Sequence, residues 1–192
     1  LCFMLLLSGC GGSPVEEPDF VFRYADNQAA DYPTSLAGVF FADLVRERTG
    51  GRIQIEVYAG GTLGDELSVI DQLRFGGIDF SRNSLSLLSQ YEEQYNVLML
   101  PYLYENSDHM WAVLESEIGD QFLKGLEGIG LMGLTWFDAG VRSFYFRRRQ
   151  VATLEDMRGL RIRVQESDMM SRVVELLGAT PVQMVYSDVY SA

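Results

Sequence analysis

The sequence contains very few of the residues that form metal sites and disulfide frameworks. Its 192 residues include one histidine, His109, and two cysteines, Cys2 and Cys10. Because both cysteines fall at the very start, the rest of the chain can form neither an internal disulfide nor a cysteine–histidine metal site. Walker loops, dinucleotide-binding glycine patterns and nucleophile elbows are also absent from the sequence. We therefore predict no metal, no cofactor and no enzymatic activity.

Positive charge and long apolar runs are scarce as well. Fifteen basic residues face 27 acidic ones, and the resulting formal charge of −12 argues against a nucleic-acid partner. After the first ten residues, no apolar run approaches the roughly 20 residues that a membrane-spanning helix requires. An acidic chain that captures an anion must do so with a local positive pocket.

The first residues are typical of the end of a secretory signal. An apolar run from Leu1 closes on Leu7-Ser8-Gly9-Cys10, which resembles the lipobox of bacterial lipoproteins, and a tether rich in glycine, proline and glutamate follows. By this resemblance, Cys10 is acylated and becomes the mature N-terminus, and residues 1–18 are signal and tether. The run lacks a basic segment before it, so we expect the N-terminus to be incomplete.

The rest of the chain alternates between strand-like and helix-like segments, which predicts an α/β fold. We assign residues 19–140 to a first α/β lobe and residues 141–192 to a second. The chain stops where a helix has barely begun, so we expect the second lobe to be truncated. The first lobe is predicted to contain strands 20–25, 53–57 and 76–80, helices 34–48 and 107–124, a helix that follows the turn at residues 60–66 and ends near residue 75, and a further strand 129–137. The second lobe is predicted to contain strands 141–146, 160–165 and 181–186 and a helix 167–177.

Arg163 is the strongest candidate for binding a ligand. In the strand around it, alternation places Arg161 and Arg163 on one face and Leu160, Ile162 and Val164 on the other. A guanidinium stays charged and can clamp a carboxylate with two parallel hydrogen bonds, each contributing about 1.5–3 kcal/mol. The alternative is a surface arginine on an edge strand. A second cation, Arg142, is predicted on the neighbouring strand of the same lobe.

Several short motifs, in this order and spacing, resemble one protein family. From about Phe20 to Ala192 the chain is similar to the DctP-type solute-binding proteins of tripartite ATP-independent periplasmic (TRAP) transporters. The most specific motifs are Thr49-Gly50-Gly51-Arg52-Ile53, Leu100-Pro101-Tyr102, Gly140-Val141-Arg142-Ser143-Phe144, Gly159-Leu160-Arg161-Ile162-Arg163-Val164 and Gly178-Ala179-Thr180-Pro181. The resemblance implies a two-lobed periplasmic-binding-protein-like fold that captures an organic acid and delivers it to a TRAP permease.

The resemblance also implies roles for individual residues. Arg163 would hold the ligand carboxylate, and Arg142 would support the same anionic end. Other positions would line the cleft between the lobes: Asn27, Glu66, Asn83 and Tyr186. The family commonly has a glutamate where this chain has Asp188. The protein would be periplasmic and anchored to a membrane through Cys10.

The segment around Glu166 resembles the branch of the family that binds sugar acids such as hexuronates. Glu166 could accept hydrogen bonds from several ligand hydroxyls, and it would repel a second carboxylate. A C4-dicarboxylate or another 2-hydroxy acid remains the alternative ligand. Two other classes also stay open: a receptor module that senses rather than transports, and a secreted hydrolase or lyase that uses acidic residues.

Overall fold

The computed structural model describes residues 17–147 and 150–192, so Cys10 and most of the predicted tether lie outside the described residues. Two small parallel sheets organise the chain. The first has the order β2-β1-β3, formed by Phe20–Ala25 (β1), Ile53–Tyr58 (β2) and Phe80–Ser81 (β3), with Phe20 opposite Ile53 and Tyr24 opposite Phe80. The second pairs Arg161–Val164 (β4) with Thr180–Gln183 (β5).

Helices connect the strands of each sheet, as parallel pairing requires. Pro33–Arg48 (α1) joins β1 to β2, and Glu66–Arg74 (α2) joins β2 to β3. Asp65 caps α2, because its carboxylate accepts from the Ser68 backbone N–H. Along the chain, five helices follow β3 and precede β4: Leu85–Leu88 (α3), Tyr95–Leu98 (α4), Ser107–Leu114 (α5), Glu117–Gly125 (α6) and Leu154–Met157 (α7). Asp168–Leu176 (α8) joins β4 to β5 and is capped by Ser167.

Apolar side chains form separate cores on the two sides of the molecule. One core around Ile70 and Tyr95 packs α2 against α3 to α6, and two smaller clusters pack against the first sheet, one containing Tyr24 of β1 and the other containing Ala25. Met157, Val164 and Val174 form the core of the second sheet. Burying each such side chain contributes about 1.5–3 kcal/mol. The division of the chain at residue 140 stays a prediction.

The predicted helix 107–124 is wrong, because the chain forms two helices there. α5 ends at Leu114, and Ser116 caps α6 by accepting from the Ile118 backbone N–H. The N-cap of α5 is Asn106 rather than Ser107. Gly119 makes the break possible, since a Cβ there would stand 1.8 Å from the carbonyl oxygen of Leu114.

The predicted strands 129–137 and 141–146 are also wrong. Residues 131–147 follow a path without regular secondary structure, and within the described chain no strand lies alongside to complete a hydrogen-bond ladder. The Asp138 carboxylate accepts instead from the Gly140 N–H at 2.7 Å, while Trp136 packs against the first core. An alternating apolar pattern forms a strand only where a partner strand is present. The predicted strand 76–80 is shorter than expected and begins only at Phe80.

None of the helices in the described ranges is long and apolar enough to cross a membrane.

Candidate functional site

A cleft of about 690 Å³ lies where the carboxyl ends of both sheets face each other. Parallel sheets place their ligands at this edge, because the loops that follow the strands meet there. Asn27 follows β1, Glu166 follows β4 and Tyr186 follows β5. The volume falls within the ordinary range for small-molecule sites. The cleft contains five of the predicted site residues, namely Asn27, Glu66, Arg163, Glu166 and Tyr186.

Arg163 is partly buried and firmly oriented. Its Nε and Nη2 both donate to the carbonyl oxygen of Met184, at 3.1 and 2.7 Å. One side of the guanidinium is therefore anchored to the end of β5, while the Nη1 and Nη2 edge keeps hydrogens without a protein acceptor among the described residues. Burial lowers the pKa of Arg163, and the positive charge of Arg142 lowers it further. An arginine nevertheless stays protonated, so the cleft contains a cation prepared for an anion.

Arg142 lies near this site, although it does not line the cleft. Arg142 is exposed and belongs to segment 131–147, which has no regular secondary structure. Partial desolvation of its guanidinium lowers the pKa of Arg142, and the negative charge of Glu66 opposes that effect. Because the positive charge of Arg142 lowers the pKa of Arg163, the two guanidinium groups lie close enough to repel each other. An anion placed between them would relieve this repulsion.

A buried charged cluster supports the side of the cleft that belongs to the predicted first lobe, residues 19–140, which we call the first-lobe wall; the lining residues after residue 140 form the second-lobe wall. Arg82 forms ion pairs with Asp26 at 2.7 Å and with Glu66 at 3.5 Å, and the three side chains are almost inaccessible to water. Burial by itself lowers the pKa of Arg82, but the hydrogen bond to Asp26 and the charges of Glu66 and Asp26 outweigh it and raise the pKa. Sequence reasoning missed Arg82 and Asp26, which lie 56 residues apart.

Glu66 is occupied by protein donors rather than open to a ligand. Its two carboxylate oxygens accept from Asn27 Nδ2, Arg82 Nη1, the Ser84 N–H and the Ser84 hydroxyl. A carboxylate offers about four acceptor positions, so these donors satisfy it. Glu66 therefore holds Asn27 and Ser84 in place. Asn27 is fixed from its other side too, because its Oδ1 accepts from Arg82 Nη2.

Asn83 is less well placed than the sequence predicted. It follows β3, but it does not line the cleft, and its Nδ2 donates to the Ser81 hydroxyl. Its buried Oδ1 has no hydrogen-bond partner within the described ranges. The structure thus brings Asn83 to the same edge of the sheet without giving it direct access to the cleft.

Glu166 and Tyr186 complete the second-lobe wall. The Glu166 side chain is partly exposed and makes no hydrogen bond or ion pair with any other described residue, so it is a free acceptor. Tyr186 is about half exposed and begins a 3-10 turn, Tyr186–Asp188, beyond β5. Gly60 and Gly61 lie opposite, in a turn whose positive φ angles of 71° and 69° favour glycine. The chain backbone can therefore approach a ligand closely there.

Gln165 is a further residue that sequence reasoning missed. It lines the cleft directly after β4, and its amide group contacts Ser84 and Ser86 across the gap between the two sheets. A polar residue immediately beyond a parallel strand was the available signal for it.

Comparison with known proteins assigns this arrangement to a family. The sequence profile of the bacterial extracellular solute-binding proteins of family 7, DctP, matches residues 24–192. The chain belongs to the DctP family. The members of this family are binding proteins and not enzymes. Because the family is one of extracellular solute-binding proteins, its members are located outside the cytoplasm. The predicted α/β fold with two lobes is confirmed by solved structures of TRAP solute-binding proteins.

Over the aligned residues, individual relatives are about a third identical to this DctP-family chain. A TRAP periplasmic solute-binding protein from Xanthobacter autotrophicus with bound β-D-galacturonate is 38% identical, with a TM-score of 0.85 over 88% of this chain and 57% of its own. One from Roseobacter denitrificans with bound β-D-glucuronate is 31% identical, with a TM-score of 0.86 over 90% and 57%. The C4-dicarboxylate-binding protein of Bacillus subtilis is 32% identical over 91% and 50%. The chain spans about half the length of the curated relatives it matches.

Proposed function

We propose that the protein captures a sugar acid, most simply a hexuronate, outside the cytoplasm and delivers it to a TRAP permease. The observation that carries the proposal is the orientation of Arg163. Met184 anchors one side of its guanidinium, and the remaining edge faces a cleft of ordinary ligand size. That edge has the geometry to make two parallel hydrogen bonds with a carboxylate.

Glu166 supports a ligand with hydroxyl groups. Its carboxylate lines the cleft without a hydrogen-bond or ion-pair partner among the described residues, and a hexuronate offers several hydroxyl donors to it. Glu66 does not share this role, because protein donors already surround it. In this proposal, Arg163 binds the carboxylate end of the ligand, Glu166 and Asn27 bind hydroxyls, and Tyr186 provides a flat wall. The uronates bound to the Xanthobacter and Roseobacter proteins support the same ligand class.

A C4-dicarboxylate is the second candidate, and Arg142 favours it. Two neighbouring cations could each receive one carboxylate, provided that the segment around Arg142 moves into the cleft. The Bacillus subtilis relative is named for that ligand class. Glu166 opposes this candidate because its negative charge would repel the second carboxylate.

Thermal unfolding of the full-length protein with single added ligands distinguishes these candidates. We expect D-galacturonate or D-glucuronate to raise the melting temperature, since a ligand at 100 times its Kd stabilises the folded state by about 2.7 kcal/mol. Succinate tests the dicarboxylate alternative, and D-galactose is the matched control because it lacks the carboxylate. Stabilisation by succinate alone would replace the sugar acid with a dicarboxylate. No stabilisation by any organic acid would contradict the proposal.

Attachment to a membrane through acylated Cys10 is also part of the proposal, supported by the lipobox-like segment Leu7-Ser8-Gly9-Cys10. Cys10→Ala in the full-length protein is expected to prevent lipid labelling and to release the protein from membranes. Unchanged labelling with radioactive palmitate would exclude this anchor.

A further inference from the structure

Gln165 forms a bridge between the two sides of the cleft. Its Oε1 accepts from the Ser86 hydroxyl at 2.7 Å, and its Nε2 donates to the Ser84 hydroxyl oxygen at 3.1 Å. Ser84 and Ser86 lie about 80 residues earlier in the chain, at the start of α3, whereas Gln165 directly follows β4. Both ends of one amide group are therefore held by the opposite wall.

Each hydrogen bond of this bridge has a defined donor and a defined acceptor. The Ser84 hydroxyl donates to Glu66, so its oxygen is left to accept from Gln165 Nε2. The Ser86 hydroxyl, whose residue is fully buried, donates to the other end of the Gln165 amide. A hydroxyl has a single hydrogen to donate. Glu66 thus determines which end of Gln165 faces Ser84, and the buried pair of Glu66 with Arg82 fixes Glu66 itself.

We propose that Gln165 is a positioning residue that joins the end of β4 to the first-lobe wall and thereby sets the spacing of the ligand-binding groups. This inference rests on the proposed function for its ligand. Gln165 lies two residues after Arg163 and directly before Glu166, so the bridge constrains both groups relative to Asn27, which the same Glu66 carboxylate holds. Preorganised groups bind more tightly because less freedom is lost on binding.

Two substitutions test the bridge in the full-length protein. Gln165→Glu keeps the shape but replaces the Nε2 donor with an acceptor, which then faces a Ser84 oxygen whose hydrogen is committed to Glu66, and it adds a negative charge. Gln165→Leu removes both hydrogen bonds. Gln183→Leu is the matched control, since Gln183 ends the neighbouring strand β5 and its Nε2 makes a solvent-exposed hydrogen bond to the Ser171 hydroxyl.

We expect Gln165→Glu to weaken binding of D-galacturonate by about tenfold or more in calorimetry, because one lost bond and a misplaced charge together amount to at least one factor of ten. Gln183→Leu should bind like the wild type. Adding Ser84→Ala to Gln165→Glu removes the oxygen that faces the new carboxylate, so the double variant should recover part of the affinity. A residue needed only for folding would lower the melting temperature without this recovery.

Backbone hydrogen exchange without added ligand gives a second measurement. Exchange of residues 161–167 should accelerate in both Gln165 variants and remain unchanged in Gln183→Leu. If the wild type binds no organic acid while exchange still accelerates, the proposed ligand is wrong and the bridge stands. If neither affinity nor exchange changes in Gln165→Glu, or if the melting temperature alone falls, the inference about Gln165 is overturned.

Discussion

Arg163→Lys separates the shape of the cation from its charge. In the structure, Arg163 uses Nε and Nη2 to hold the Met184 carbonyl and keeps a second edge for the ligand. A lysine ammonium has one nitrogen, so it cannot anchor to Met184 and also present two parallel hydrogen bonds. Each charge-assisted bond contributes about 1.5–3 kcal/mol. Loss of one of the two predicts affinity reduced at least about tenfold, or roughly 1.4 kcal/mol.

Calorimetric titration of the full-length protein with D-galacturonate measures this loss. Arg161→Lys is the matched control, because Arg161 lies on the same strand two residues earlier, is exposed and does not line the cleft. The melting temperature of Arg161→Lys should match that of the wild type, and the far-ultraviolet circular dichroism of both variants should be unchanged, which separates weaker binding from loss of the fold. Wild-type affinity in Arg163→Lys would refute the assignment of the carboxylate to this guanidinium.

Three further substitutions test ligand preference, the buried charged cluster and the titration of Tyr24. Glu166→Gln should improve succinate binding relative to D-galacturonate because the repelling charge is gone; an unchanged ratio by calorimetry would remove Glu166 from ligand selection. Arg82→Leu leaves buried Asp26 and Glu66 without their cation, so the free energy of unfolding measured in urea should fall by about 3–5 kcal/mol. A decrease below about 1 kcal/mol would contradict a cluster that is shielded from water. Burial raises the pKa of Tyr24 from 10.0 to about 12, so the unfolded chain loses that proton first and stability should fall between these pH values. Tyr24→Phe should abolish this part of the alkaline loss in urea unfolding, and an identical pH profile would argue against it.

Sequence patterns predicted best those elements whose first or last residues are typical of helix or strand ends. α1 begins at Pro33 and ends before Gly50, and α8 begins after Ser167 and ends before Gly178. Strand β1 matches its predicted limits because apolar residues and a following polar loop define it. The helix 107–124 was wrong because a continuous apolar period does not reveal the cap at Ser116. The strands in 131–147 were wrong because a strand depends on a neighbour that local sequence does not specify.

The predicted site residues stay predictions, but the structure changes what some of them are expected to do. Glu66 lines the cleft, as the resemblance implied, but its carboxylate is already occupied by Asn27 and Ser84, so we expect it to support these residues rather than to bind the ligand. Arg82 follows β3 as a single arginine in a polar stretch, which from sequence resembles a surface residue. Only the parallel pairing of β1 with β3 brings Arg82 to Asp26.

From the sequence alone came the α/β class, the resemblance to DctP-type proteins and the choice of Arg163, since these depend on local patterns and on one residue whose chemistry is distinctive. Tertiary structure decided which groups remain free for a ligand. The Met184 carbonyl occupies one side of Arg163, protein donors fill the acceptor positions of Glu66, and Ser84 and Ser86 hold Gln165. Each of these partners is distant in sequence or depends on the direction of a side chain, and hydrogen bonding is settled only when donor and acceptor are within about 3 Å.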